Sequence, residues 1–151
     1  EENLGKSLFY DLSKGNCVAC HYTDAFVMDV PRNNGIDVWE STADKDMGYE
    51  AATGDVNDRG KFIAPSLRNI SIRPPYMHDG RFASLKEVID HYSEGIQWSS
   101  TLDDHLKGTD PNMPVRFNLT DIEKNALVAF LKTLTDESLL DDKRFSDPFI
   151  E

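Results

Sequence analysis

The sequence lacks several features that would place it in common functional classes. No apolar run approaches the roughly 20 residues that a membrane-spanning helix needs, and the first residues lack the basic flank and apolar stretch of a signal peptide. Basic residues are few: 16 lysines and arginines stand against 27 aspartates and glutamates, for a net charge of −11. Because nucleic-acid binding depends on clustered positive charge, we expect no nucleic-acid partner and no membrane span, and we expect a mature form or an excised domain.

Alternation of polar and apolar residues, the pattern of β-strands, is scarce as well, and helical periodicity takes its place. Residues 3–11 carry Leu4, Leu8 and Phe9 at helical spacing and predict a short helix. The stretch SLKEVIDHY begins with Ser84 and has a glutamate three residues later, which is the capping-box pattern at the start of a helix.

A second capping box, Thr120 with Glu123, precedes the longest helical pattern of the chain. The apolar residues of its predicted buried stripe are Ile122, Ala126, Leu127, Phe130, Leu131 and Leu134. Residues 23–60 are polar and rich in turn-forming residues, which predicts a long loop of functional importance. We therefore expect one all-α domain over residues 1–136 with long irregular loops, and a surface extension over residues 137–151.

The chain has only two cysteines, and they form one motif with the histidine that follows them: Cys17, Cys20 and His21. This is the C-x-x-C-H pattern of covalent haem attachment. Each residue has its own role there, because the two thiols bond the two vinyl groups of the porphyrin and the imidazole binds the iron as proximal ligand. The motif predicts one covalently bound haem c in the all-α domain.

Two other functions of a C-x-x-C spacing stay open on the residues alone. A thioredoxin-type redox site uses the same spacing, although the strand and helix pattern around such a site is missing here. A zinc site would need two more ligands in addition to the cysteines. These would have to come from His78, His91 or His105, and no second paired motif offers them.

A resemblance to one known family is carried by four stretches: LGKSLFYD, TDAFVMDVPRNNGI, DRGKFIAPSLRNISIRPPYMHDGRFASLKEVIDHY and LTDIEKNALVAFLKTLTD. From about Leu4 to Asp136 the chain resembles the C-terminal haem domain of the bacterial dihaem cytochrome c peroxidases and the related MauG-type enzymes. The resemblance implies a cytochrome c-like all-α domain whose haem passes electrons to a second haem, at which hydrogen peroxide is reduced. In that family the second haem has a domain and a C-x-x-C-H motif of its own, and this sequence contains one such motif only.

The resemblance also implies partners, a location and a metal. It implies that the domain exchanges electrons with a redox protein or with a second haem domain, in the periplasm or another extracytoplasmic compartment. Family members hold a calcium ion between their two domains, partly through backbone carbonyls of the stretch that corresponds to IRPPY. Since that site needs both domains, we expect no calcium here.

The distal ligand of the iron is open between several residues. The resemblance aligns Tyr92 with the axial position, which carries methionine in typical peroxidases and tyrosine in MauG-type enzymes, and Tyr92 is the leading candidate. Met113, in a Met-Pro loop before the last helix, is the second candidate, and Met77 is the third. His91 should point about 100° away from Tyr92, onto a wetter helix face. Tyr92 as a plain core tyrosine is the alternative.

Two polar residues complete the candidate site. Arg68 is predicted to pair with a haem propionate through a charge-assisted contact, and His78 is predicted to lie near the haem. The alternative for both residues is to order their loops. If this haem itself activates peroxide, His78 or His91 would be the acid–base partner. The sequence thus favours an electron-transfer domain and keeps a peroxide-reducing haem enzyme as the alternative.

Overall fold

The structure is a computed structural model that describes residues 1–38, 45–146 and 149. Its α-helices are α1 (Glu2–Tyr10), α2 (Glu50–Thr53), α3 (Leu85–Asp90), α4 (Asp121–Lys132) and α5 (Ser138–Asp141). A π-helical turn, His91–Gly95, continues α3. Single 3-10 turns lie at Cys17–Ala19, Val56–Asp58, Ile70–Ile72, Asp104–Leu106 and Lys143–Phe145.

The prediction of an all-α fold with long irregular loops is confirmed. Within the described ranges the chain forms isolated β-bridges but no strand. The predicted loop over residues 23–60 contains only α2 and one 3-10 turn in its described part, and residues 39–44 lie outside the description. Among the described residues, no helix combines the length and the apolar character that crossing a membrane requires.

Helices α1 and α4 pack tightly against each other at a glycine. A Cβ atom at Gly5 would lie 1.9 Å from the carbonyl oxygen of Ala126, so only glycine permits this close approach. Next to the crossing, the rings of Phe9 and Phe130 meet edge to face with their centroids 5.3 Å apart. The two helices thus share one hydrophobic core with α3.

The predicted capping boxes are confirmed at both helices. Ser84 Oγ accepts the backbone N–H of Glu87, and Thr120 Oγ1 accepts that of Glu123; each glutamate accepts in return from the capping residue's N–H. These bonds satisfy N–H groups that would otherwise lack a partner in the first helical turn. They set where α3 and α4 begin.

The apolar faces of α1 and α4 were predicted correctly except at their first turns. Leu8 and Phe9 are buried as expected, but Leu4 is 42% exposed because Gly5 takes the contact position on α1. On α4, Ile122 is 73% exposed in the first turn, whereas the later stripe residues are buried or partly buried. The extension over residues 137–151 stays a prediction, and residues 147, 148, 150 and 151 lie outside the description.

Candidate functional site

A cavity of about 170 Å³ takes in the whole C-x-x-C-H motif. Cys17, Cys20 and His21 line it, together with apolar side chains from α1, α3 and α4. The fold therefore brings the motif to a mostly apolar site.

The two thiols of the motif are free and lie in an apolar environment. Burial raises the pKa of Cys17 to about 12 and that of Cys20 to about 11. Reactive redox cysteines have the opposite property, because an electropositive environment lowers their pKa and exposes the thiolate. The thioredoxin-type alternative is therefore disfavoured by the setting of the cysteines.

The imidazole of His21 is held by one hydrogen bond to the backbone. Its Nδ1 lies 2.8 Å from the carbonyl oxygen of Phe26, and since a carbonyl can only accept, Nδ1 carries the proton. Burial lowers the pKa of His21 and so favours the neutral ring. Nε2 then has a free lone pair, which is the arrangement of a metal-binding histidine whose other ring nitrogen bonds a carbonyl.

Two of the three distal-ligand candidates line the same cavity. Met77 comes from the loop before α3, and Tyr92 comes from the π-helical turn after it. The Nδ2 atom of Asn34 lies 3.5 Å from Met77 Sδ and 3.5 Å from Tyr92 Oη. Burial raises the pKa of Tyr92 to about 12, although the hydrogen bond from Asn34 acts in the opposite direction. Such π-turns are frequent at functional sites.

His91 does not point to a wet face, so that expectation was wrong. The residue is 7% exposed, and its Nε2 donates to the carbonyl oxygen of Asn34 at 3.1 Å. The reason is that the loop carrying Asn34 covers this face of the π-helical turn and supplies the acceptor. Burial lowers the pKa of His91. It is not among the cavity-lining residues in the described ranges.

Three other predicted site residues lie elsewhere. Met113 is 57% exposed in its loop. Arg68 is exposed and donates from Nη2 to the carbonyl oxygen of Asp24 at 2.7 Å, and His78 stacks on Phe62 with ring centroids 3.8 Å apart. In the described part of the chain, none of the three lines the cavity.

Three residues that were not predicted from the sequence also line the cavity: Arg32, Asn34 and Asp103. Arg32 Nη1 lies 2.6 Å from Asp103 Oδ2, and the Asp103 side chain is only 3% exposed. The two opposite charges therefore form an ion pair in the wall of the cavity. Asp103 also accepts from His105. The stretch PRNNG contained the signal for two of these residues, but its asparagines and glycine are equally typical of a turn.

The residues of the cavity fit a haem better than a bare metal ion. The side-chain oxygen of Asn16, which lines the cavity beside Cys17, is buried without a hydrogen-bond partner, and buried polar atoms are nearly always paired in native proteins. The described residues contain no group of three or more histidine, cysteine or acidic side chains that could hold a metal ion. His78, His91 and His105 all have contacts away from the cysteines, so nothing supports the zinc alternative.

Comparison with known families decides the class of the chain. The model of the cytochrome c family matches residues 3–135. The chain belongs to the cytochrome c family. Covalently bound haem c is the cofactor of that family, in agreement with the position of the C-x-x-C-H motif in the cavity.

Relatives of this cytochrome c domain confirm the resemblance to the dihaem peroxidase and MauG family. The methylamine utilization protein MauG of Methylophilus methylotrophus is 36% identical over 136 residues, which cover 89% of this chain and 37% of the relative. The cytochrome-c peroxidase IdrP2 of Denitromonas iodatirespirans is 32% identical, with 83% and 38% covered. This cytochrome c domain spans less than two fifths of the length of these two relatives.

Solved structures agree with the sequence relatives. The crystal structure of a MauG-like protein associated with microbial copper homeostasis is 39% identical, has a TM-score of 0.78, and is matched over 97% of this chain and 50% of that one. The diheme peroxidase BthA of Burkholderia thailandensis E264 is 22% identical with a TM-score of 0.69, over 90% of this chain and 42% of that one. At that identity, BthA supports the fold of this cytochrome c domain only.

Proposed function

We propose that this chain is a c-type cytochrome domain that transfers electrons through one covalently bound haem. Cys17 and Cys20 hold the porphyrin through thioether bonds, and His21 is the proximal ligand through its free Nε2. The haem supplies one-electron chemistry at its iron. Its partner is a redox protein or a second haem domain, in the periplasm or another extracytoplasmic compartment, and the chain by itself holds no calcium.

The observation that supports this proposal is the common cavity of the motif and its candidate ligands. The cavity is lined by both cysteines, by His21 with its Nδ1 committed to a carbonyl, and by Tyr92 and Met77. If His21 and Tyr92 both held the iron, no position would be left open for a substrate, which would favour electron transfer.

Tyr92 is the distal ligand in this proposal. It lines the cavity, and Met113, the second candidate, is exposed in a loop outside it. Met77 also lines the cavity, but the resemblance to MauG-type enzymes aligns Tyr92, and not Met77, with the axial position. Arg68 stays the predicted propionate partner, which requires its side chain to leave the Asp24 carbonyl.

Peroxide reduction at this haem is the second candidate function, since several relatives are named cytochrome-c peroxidase. Such a reaction needs an acid–base group near the iron. The two candidates for that group, His78 and His91, are engaged by Phe62 and by the Asn34 carbonyl, outside the described cavity lining. Their positions favour electron transfer as the function of the isolated chain.

The test is to produce the chain in a host that matures c-type cytochromes. We expect the denatured protein to keep its colour and to have the mass of the polypeptide plus one haem. The native ferric protein should be six-coordinate and low-spin by electron paramagnetic resonance, with negligible peroxide turnover. A colourless denatured chain would refute the cofactor assignment, and rapid peroxide reduction with a small reductant would establish the alternative.

The matched controls are serine variants of the two cysteines. Cys17→Ser and Cys20→Ser should each leave one thioether bond, and the double variant should lose its colour on denaturation and extraction. If the colour survives denaturation in the wild type and is lost only in the double variant, the haem is attached covalently and not merely bound tightly.

A further inference from the structure

The loop segment 33–35 is fixed in place from both sides. The Asn33 carbonyl accepts from the backbone N–H of Asp103 at 3.1 Å, and the Gly35 carbonyl accepts from that of Gln97 at 2.7 Å. Within the segment, the Asn33 side chain accepts from the Gly35 N–H at 2.9 Å. Gly35 has a φ of +67° and would meet Gln97 with any side chain, so the segment has little freedom to move.

Asn34, at the centre of this segment, connects the π-helical turn with both ligand candidates of the cavity. Its carbonyl accepts from His91 Nε2 at 3.1 Å. Its side-chain Nδ2 carries two N–H groups and lies 3.5 Å from each of two acceptors, Met77 Sδ and Tyr92 Oη. One amide therefore reaches a thioether and a phenol oxygen at the same time.

We propose that Asn34 is a positioning residue that selects Tyr92 over Met77 as the distal ligand. This inference rests on the proposed haem cofactor. The physical basis is geometric: one amide with two N–H groups is within reach of both the Tyr92 oxygen and the Met77 sulfur. The N–H that bonds the Met77 sulfur occupies a lone pair that the sulfur would need in order to bind the iron. The amide therefore keeps Met77 beside the ligand position without letting it become the ligand.

The test replaces Asn34 by leucine, which has a similar size and no donor. In Asn34→Leu, we expect a fraction of the ferric protein to acquire the long-wavelength absorption band of a methionine–iron bond, together with a rise in midpoint potential. Both changes should disappear in the double variant Asn34→Leu/Met77→Leu. The control is Asn112→Leu, at an exposed loop position outside the cavity lining, which should keep the wild-type spectrum and potential.

The outcomes separate this inference from the proposed function. If Asn34→Leu and the wild type have the same spectrum and potential while Tyr92→Phe changes both, the role of Asn34 is refuted and the tyrosine ligand stands. If Tyr92→Phe also changes nothing, the ligand assignment itself is refuted, and with it the role of Asn34. Should the leucine variant fail to fold, Asn34→Ala removes the amide without added bulk and is judged by the same two measurements.

Discussion

His21 donates a hydrogen bond from Nδ1 to the carbonyl oxygen of Phe26 at 2.8 Å. The acceptor is placed by a tight turn, in which the Phe26 N–H bonds the Thr23 carbonyl and the Thr23 hydroxyl bonds both the N–H and the carbonyl of Val27. The orientation of the His21 imidazole therefore depends on a threonine two residues after it. A hydrogen bond from the second ring nitrogen also raises the basicity of an imidazole that binds a metal.

Thr23→Val should loosen this turn while keeping the shape of the side chain. Two hydrogen bonds of about 0.5–1.5 kcal/mol each are lost, so the free energy of unfolding should fall by about 1–3 kcal/mol. A weaker bond at Nδ1 makes His21 a poorer donor to ferric iron, so the midpoint potential of the haem protein should rise. Urea unfolding and a spectroelectrochemical titration measure the two effects.

Thr53→Val is the matched control for this variant, because Thr53 also makes two hydrogen bonds to the backbone, to Tyr49 and Asp55, away from the cavity. It should lose stability and keep the potential. Equal potentials in Thr23→Val and the wild type would contradict the proposed role of the turn.

Tyr92→Met should exchange an anionic oxygen ligand for a neutral thioether. Methionine ligation raises the potential of a haem, so we expect a higher midpoint potential and the absorption band of a methionine–iron bond. Tyr10→Met, at a position that is exposed at the end of α1, is the control and should change neither. A Tyr92→Met protein with the wild-type potential would show that residue 92 is not a ligand.

Gly5→Ala should destabilise the domain in spite of the higher helix propensity of alanine. That propensity gain is about 1 kcal/mol, whereas overpacking costs about 1–3 kcal/mol or more. The added methyl group would lie 1.9 Å from a backbone carbonyl, which cannot move aside like a flexible side chain. We therefore expect a net loss in the free energy of unfolding by urea titration, and no loss for Lys6→Ala at an exposed position of α1.

His91 should make the stability of the domain fall as the pH decreases. Burial, and to a smaller extent the nearby Arg81 and Arg116, lower the pKa of His91 in the folded state. The unfolded chain then takes up a proton first, so this contribution is fully present above about pH 6.5 and is lost below it. Between pH 7 and pH 5, His91→Gln should therefore give a smaller slope of unfolding free energy against pH.

The control for the pH experiment is His78→Gln, because His78 is exposed. The slope of this variant is compared with those of the wild type and of His91→Gln. A glutamine at position 91 can still donate to the Asn34 carbonyl, so the comparison isolates the charge of the imidazole from its hydrogen bond. An unchanged slope in His91→Gln would mean that position 91 does not contribute to acid destabilisation.

Much of the fold and part of the site could be predicted from local residue patterns. Capping boxes act within one helical turn, which is why Ser84 and Thr120 mark the starts of α3 and α4 correctly. The C-x-x-C-H motif is also local, because its three side chains must reach one porphyrin from adjacent positions. By contrast, the exposure of Leu4 and Ile122 depends on which part of each helix packs against another element, and periodicity alone does not determine this.

The sequence by itself determined the helical class, the helix starts and the C-x-x-C-H motif, because each depends on neighbours within a few positions. Only the tertiary structure decided which distant groups share the cavity: Met77 and Tyr92 enter it, and Met113 does not. Only the tertiary structure shows that Asn34 contacts both ligand candidates and that His91 is buried against the Asn34 carbonyl. These contacts join residues more than 40 positions apart, and they arise from the packing of a loop against a helix, which no local pattern encodes.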